Sequence, residues 1–302
     1  MLAQAVDSVS TEPWKFQWHP EVWILVGFLV GAYVYMIKAI GPKAVPDGVP
    51  PVTRKNKIAF GAAMVMLWVS SDWPIHDIAE EYLYSVHMLQ HLLITFFIPL
   101  MFLAATPEWL ARLIIGADNM AASALRRFSK PIVAGLLFNF LAAITHWNGV
   151  VQLSADSGVF HYGIHLAMFA SGMLMWMPVF GPIPELRIPV PAQMIYLFLM
   201  SIIPTVPAGW LTFADNPVYP AYDIPTRLWG ISVVSDQQAA GFVMKVLGGF
   251  FLWSLIFIRF SRWANENKAA DREKRTIRTN ERLTYEQVSK EFERTAPSRI
   301  ET

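Results

Sequence analysis

Seven stretches of predominantly apolar residues, each long enough to cross a lipid bilayer, constrain this chain more than any other feature. They cover about residues 21–40, 56–73, 85–105, 131–149, 159–180, 191–211 and 237–259. A helix of about 20 apolar residues crosses the hydrocarbon core of a membrane. Only 16% of the residues are charged, whereas soluble domains carry about 25%. The sequence therefore predicts an all-α fold, a polytopic membrane bundle of seven transmembrane helices.

The basic residues predict the orientation of this bundle. If the loop after the first span is cytoplasmic, 21 of the 24 lysines and arginines lie on the inner side. Cytoplasmic loops of membrane proteins are enriched in lysine and arginine. We therefore expect the N-terminus outside and the C-terminus in the cytoplasm. The expected domains are an outer N-terminal segment over 1–20, the membrane domain over 21–260 and a charged cytoplasmic tail over 261–302.

The composition excludes several classes of function. The chain has no cysteine, which excludes disulfides, thiolate metal sites, iron–sulfur clusters and cysteine nucleophiles. A net charge of +1 argues against a nucleic-acid partner, so membrane lipid is the expected surrounding. No Ser/His/Asp order, phosphate loop or pair of catalytic carboxylates stands out. We therefore expect a protein that coordinates a ligand without turnover, and not an enzyme.

Histidines are concentrated near the outer ends of the predicted spans. His87 and His91 in the third span are four residues apart and share one helix face. His161 and His165 repeat this spacing in the fifth span, and His146 ends the fourth span at a similar depth. Histidine is the commonest metal ligand, and ionisable residues inside membranes usually mark function. These five imidazoles predict a metal or haem site just below the outer surface.

The seventh span adds further polar candidates. Asp236 and Gln237 lie at its outer end, at the depth of the histidines, where they are candidate metal ligands. The alternative for Asp236 is a helix cap. Lys245 lies roughly 12 Å further into the span and is either functional or paired with a headgroup or with Asp236. Pro204 and Pro207 predict a kink in the sixth span.

Four segments resemble the multi-span family of cytochrome c oxidase assembly factors, the CtaG type first associated with caa-type oxidases. They are HMLQHLLITFFIPLMFLAATPEWL (87–110), HYGIHLAMFASGMLMWMPVFGPIP (161–184), IYLFLMSIIPTVPAGWLTF (195–213) and DQQAAGFVMK (236–245). The resemblance extends over about residues 20–260, which is nearly the whole membrane part of the chain.

The resemblance implies a role in the maturation of a haem–copper oxidase, from a multi-pass position in the bacterial inner (cytoplasmic) membrane. Copper is the implied metal, and the implied partners are the catalytic subunit of the oxidase and a periplasmic copper donor. The residues of this sequence at the motif positions are His87, His91, His161, His165, Asp236 and Gln237.

Three other functions stay open at this stage. Histidines on two helices at matched depth can bind haem through two imidazoles. A lysine midway along the seventh span is compatible with a retinal protein, but the third span has no acid between Tyr82 and Pro107 to act as counter-ion. A transporter or channel is the third alternative, although the two halves of the chain show no repeat of the kind that many transporters have.

Overall fold

The computed structural model describes residues 14–281 and 284–294, with side chains over 14–276 and 284–294. These residues form helices, turns and loops, and the described ranges contain no β-strand. The predicted all-α fold is therefore confirmed. Parts of the predicted N-terminal segment (1–13) and of the predicted tail (282–283 and 295–302) lie outside the described residues.

We number the helices in chain order and leave out single-turn 3₁₀ segments. They are α1 (Pro20–Ala44), α2 (Arg54–Ser71), α3 (Ile75–Glu81), α4 (Tyr84–Ala105), α5 (Glu108–Ile115), α6 (Met120–Phe128), α7 (Pro131–Ile144), α8 (Asn148–Asp156), α9 (Gly158–Phe180), α10 (Val190–Thr212), α11 (Val233–Thr276) and α12 (Tyr285–Arg294).

Five of these helices, α1, α4, α9, α10 and α11, are each long and apolar enough to cross a membrane. Two bent pairs bring the number of candidate spans to as many as seven. The pair α2 and α3 is bent by 43°, and the pair α6 and α7 by 81°. The predicted second and fourth spans correspond to α2 and α7, whereas α3 and α6 lie outside the predicted bounds. The helices thus suit a multi-pass membrane bundle.

Several spans depart from regular α-helix at particular places. Helix α10 is interrupted after Ile202 and resumes at Thr205, which confirms the kink expected from Pro204. Helices α4 and α11 contain π-helical turns at Leu93–Phe97 and Val243–Gly248. Such turns are frequent at functional sites. The first begins two residues after His91.

Helix α4 lies at the centre of the bundle, where it contacts α2, α9 and α11. Trp176 of α9 is fully buried, and its indole Nε1 donates a hydrogen bond to the backbone oxygen of Phe96 at 3.0 Å. A Cβ atom at Gly172 would lie only 2.3 Å from the backbone oxygen of Thr95. The missing side chain of Gly172 therefore lets α9 approach α4 closely, and these two helices carry the two histidine pairs.

The chain divides into two units, residues 1–256 and 257–302. The first unit contains an apolar core around Trp176 and a second cluster around Tyr84 and Tyr219, next to the histidines. The second unit contains the end of α11 and helix α12, whose Tyr285 and Phe292 are exposed.

Candidate metal centre

Four side chains from three helices converge near the start of α4. Glu80 of α3, His87 of α4, and His161 and His165 of α9 each offer one donor atom, and these atoms all lie within 4.8 Å of one another. His87 and His161 are buried, and the other two side chains are partly exposed. We refer to these four residues as the His/Glu centre.

A carboxylate oxygen joins the helices of this centre. Oε1 of Glu80 lies 3.2 Å from Nδ1 of His87 and 2.9 Å from Nε2 of His161. The second contact is close but lacks hydrogen-bond geometry, so that the buried Nε2 of His161 has no hydrogen-bond partner. The other ring nitrogen, Nδ1, is 2.8 Å from Oγ of Ser154, which orients the ring. A buried, unpartnered imidazole nitrogen among three further donors fits a metal ligand.

The other two predicted histidines are not among these four donors. Nε2 of His91 is 3.1 Å from Nε2 of His165, so one of the two nitrogens donates a hydrogen bond to the other. Nδ1 of His146 is 2.6 Å from the backbone oxygen of Ala142 and therefore carries the proton. The Nε2 atom of His146 is then an acceptor, and it is buried without a hydrogen-bond partner. His91 thus provides a further imidazole in contact with the centre, and His146 provides an unpartnered ring nitrogen on the segment that follows α7.

Asp236 binds the first turn of α4. Its carboxylate accepts hydrogen bonds from the backbone N–H groups of Tyr84 and Ser85, at 2.7 and 3.0 Å, and from the Ser85 hydroxyl at 2.5 Å. Leu83, at the N-cap, has no side chain that could satisfy these groups. Asp236 of α11 therefore caps α4 from a neighbouring helix, and its charge is favourable at the positive end of the helix dipole. This cap fixes the depth of His87, one turn further along.

Gln237 binds the loop that precedes α11. Its Oε1 accepts from the backbone N–H groups of Val218 and Tyr219, at 2.7 and 3.2 Å, and its Nε2 donates to the Tyr219 oxygen at 3.0 Å. The Tyr219 hydroxyl then donates to the backbone oxygen of His146 at 2.8 Å. Asp236 and Gln237, both predicted as ligands, have backbone partners here and position the elements that carry His87 and His146.

Tyrosine rings border the centre on one side. The rings of Tyr84 and Tyr222 lie 5.7 and 6.2 Å from the ring of His87. Burial raises the pKa of Tyr219 to about 12, and it raises the pKa of Tyr222 well above the usual value. The two loop tyrosines therefore stay protonated near neutral pH.

Glu80 is the residue of this centre that sequence reasoning missed. It belongs to an acidic run, DIAEE over 77–81, which lies between the predicted second and third spans. The signal was nevertheless present, because Glu80 precedes His87 by only seven residues and lies on the same side of the membrane as the predicted histidine layer.

Comparison with known proteins identifies the family of the chain. A sequence model of the family described as "Cytochrome c oxidase caa3 assembly factor (Caa3_CtaG)" matches residues 31–266, a segment that contains the whole His/Glu centre. No curated protein and no solved structure matches the chain. Because the match covers more than half of the sequence, the chain belongs to the family of caa3 cytochrome c oxidase assembly factors.

Proposed function

We propose that this protein supports copper insertion into a haem–copper cytochrome c oxidase and that the His/Glu centre holds the copper ion as cargo. Membership of the family supports the assembly role. The observation that carries the copper proposal is the convergence of four donor atoms within 4.8 Å of one another. The proposed partners are the catalytic subunit of the oxidase and a periplasmic copper donor, and the proposed location is the bacterial inner membrane.

The donor set favours a divalent ion of the later transition series. Imidazole suits copper and zinc, and the carboxylate is a harder donor than the sulfur ligands that select Cu(I). For a given site, Cu(II) generally binds more tightly than Zn(II). The negative charge of Glu80 also offsets part of the charge of an ion held among apolar helices, where an uncompensated charge is costly.

Loading and release require ligand exchange, and the neighbouring imidazoles support it. The Glu80 side chain is 25% exposed, whereas those of His87 and His161 are each 9% exposed, so an ion reaches the centre most directly past the carboxylate. His91, whose Nε2 is 3.1 Å from that of His165, offers a replacement ligand for an ion that leaves the centre, and the unpartnered Nε2 of His146 is a further candidate. The chain would thus act by coordination, without turnover. If the predicted orientation holds, loading occurs from the outer side.

The ring geometry favours a single metal ion over haem. The ring centroids of His161 and His165 are 4.2 Å apart, and those of His87 and His161 are 5.5 Å apart. A haem with two imidazole ligands places its macrocycle between the rings. The closely packed rings would have to separate to admit it.

Copper titration of the purified full-length chain in detergent tests this proposal. We expect one tightly bound Cu(II) ion per chain, with nitrogen hyperfine couplings in its electron paramagnetic resonance spectrum. Glu80→Gln, His161→Ala and His165→Ala should each weaken affinity by at least about tenfold, since even the loss of an outer-shell partner costs that much. Binding should also weaken as the pH falls below about 6, because a ligating imidazole must be unprotonated.

Glu81→Gln is the matched control, since Glu81 is the next residue of α3 and contacts Gln17 instead of the histidines. It should bind copper as the unaltered chain does. In cells at limiting copper, His91→Ala/His165→Ala should lower oxidase activity. If Glu80→Gln and His165→Ala keep full copper affinity, the centre is a structural network and the proposal fails. Tighter binding of Zn(II) than of Cu(II) would contradict the choice of metal.

A further inference from the structure

One charged residue of the membrane bundle has no part in the proposed metal chemistry. Lys245 lies in the π-helical turn of α11, and its side chain is exposed on the surface of the helix bundle. Its Nζ donates a hydrogen bond to Oγ1 of Thr205 at 2.7 Å. Over the described ranges, no acidic side chain forms an ion pair with this lysine, so the pairing with Asp236 considered above does not occur.

Lys245 lies deep within the apolar length of α11. It follows Val233 by 12 residues, about 18 Å of helix, and it precedes Arg259 by 14 residues, about 21 Å. The hydrocarbon core of a bilayer is about 30 Å thick, so this position is close to the middle of a span. Neither end of the helix is within reach of the side chain. A charge at mid-depth is costly and marks a functional position by default.

Exposed apolar side chains border the lysine on both helices. They form one stripe on α10 and one on α11, each with helical spacing, and the two helices pack beside each other at this point. The stripes consist of Ile202, Val206 and Trp210, and of Phe242, Val246 and Phe250. We call these six residues, together with Thr205 and Lys245, the Lys245 face. Lipid tails cover its apolar side chains well, but they offer no hydrogen-bond acceptor or negative charge to the ammonium group.

We propose that the Lys245 face binds a transmembrane helix of another membrane protein and that this helix carries an Asp or Glu at mid-depth. Charge complementarity carries the proposal, because a carboxylate is the group that neutralises an ammonium ion in hydrocarbon, and intramembrane charges pair in this way. The hydroxyl of Thr205, which donates to the Ser201 oxygen at 2.9 Å, holds Nζ at the surface where a neighbouring helix would meet it. The proposal rests on the proposed function only for the identity of the partner, the catalytic subunit of the oxidase.

Site-specific photocrosslinking in cells that make the oxidase tests this surface. A benzophenone amino acid replaces Val246 in the full-length chain, and mass spectrometry identifies the crosslinked peptide. We expect a peptide from a membrane-spanning segment that contains an Asp or Glu. Lys245→Met should lower the yield by roughly tenfold or more, whereas Lys245→Arg, which keeps the charge, should retain it. Lys245→Glu combined with replacement of the partner's acid by Lys should restore the crosslinking yield.

The same probe at Phe140, an exposed residue of α7, is the control, and its products should not respond to changes at Lys245. Products with lipid only, with a second copy of this chain only, or with a peptide that lacks an acid would each overturn the proposal, as would an unchanged yield in Lys245→Met. The peptide crosslinked in the protein that retains Lys245 supports or contradicts the proposal even if Lys245→Met fails to fold. An acid-bearing helix from a protein other than the oxidase would support the face and contradict the proposed partner.

Discussion

Two carboxylates next to the histidines have different tasks because their surroundings differ. Asp236 accepts hydrogen bonds from two backbone N–H groups and one hydroxyl, so both of its carboxylate oxygens are occupied by the first turn of α4. Glu80 has imidazole neighbours instead, and one of its contacts lacks hydrogen-bond geometry. A carboxylate that caps a helix holds the histidines in place, whereas in our proposal the carboxylate among imidazoles binds the metal ion.

His19, which immediately precedes α1, should make stability depend on pH. Its Nε2 lies 2.7 Å from Oδ1 of the buried Asp77, and this hydrogen bond raises the pKa of His19 above 6.5. The corresponding stabilisation is therefore fully present below the unfolded pKa of about 6.5 and is lost as the pH rises through the higher folded value. We expect the Tm of the purified protein to fall as the pH rises above about 6.5, and His19→Gln to reduce this fall.

Other groups titrate equally in the two proteins, so the comparison isolates the titration of His19, whose Nδ1 also lies 3.3 Å from Oε1 of Glu21. Asp77→Asn should reduce the fall by less than His19→Gln does, because the contact with Glu21 remains. Copper affinity should stay within about twofold of the unaltered protein, since His19 is not part of the His/Glu centre. Identical pH dependence in the unaltered protein and in His19→Gln would show that this contact does not stabilise the start of α1.

At the scale of elements, the centre depends on how closely α9 approaches α4. The closest point is Gly172, where an added Cβ would lie 2.3 Å from the Thr95 oxygen and 3.1 Å from the Pro99 ring. Because the nearest atom is a backbone oxygen, it cannot move away by a change of rotamer, as the end of a flexible side chain could. The whole helix α9, with His161 and His165, would have to shift away from His87.

Gly172→Ala should therefore destabilise the protein by about 1–3 kcal/mol, the usual cost of overpacking, and weaken copper binding as well. Gly163→Ala is the matched control on the same helix, because a Cβ at Gly163 has nothing within 4 Å. The control should leave copper affinity unchanged and raise stability by up to about 1 kcal/mol, since alanine favours helix over glycine. Thermal unfolding and copper titration of both variants measure the two effects. Equal stability of the two variants would mean that α9 and α4 are not in such close contact.

At the scale of the whole molecule, the distribution of basic residues makes a prediction about topology. Most lysines and arginines lie in the connections and the tail assigned to the inner side, so we expect a cytoplasmic C-terminus. A reporter that is active only in the cytoplasm should be active when fused after Thr302. The same reporter inserted between α10 and α11, within residues 213–232, should be silent. The reverse pattern would place the His/Glu centre on the cytoplasmic side and contradict loading from outside.

The sequence by itself determined the class of fold and the fact that the two histidine pairs lie on membrane-spanning helices. Lipid cannot satisfy backbone hydrogen bonds, so a long apolar stretch must form a helix whatever its neighbours are. The spacing of His87 and His91, and of His161 and His165, then places each pair on one helix face. Both inferences use only local information, and the same holds for the break at Pro204. The helices α3 and α6, which are bent against α2 and α7, were not visible in the apolar pattern, because that pattern records composition and not the direction of the chain.

Only the tertiary structure decided which side chains meet. Glu80 joins the centre, while His91 lies beside it and Asp236 caps α4, although the sequence made His91 and Asp236 candidate ligands and did not point to Glu80. The rotation and depth of one helix against another depend on contacts between residues far apart in the chain, such as Gly172 against Thr95 and Asp236 against Tyr84. No periodicity within a single helix encodes these contacts, because they arise from the interlocking shapes of two surfaces that meet only when the chain is folded.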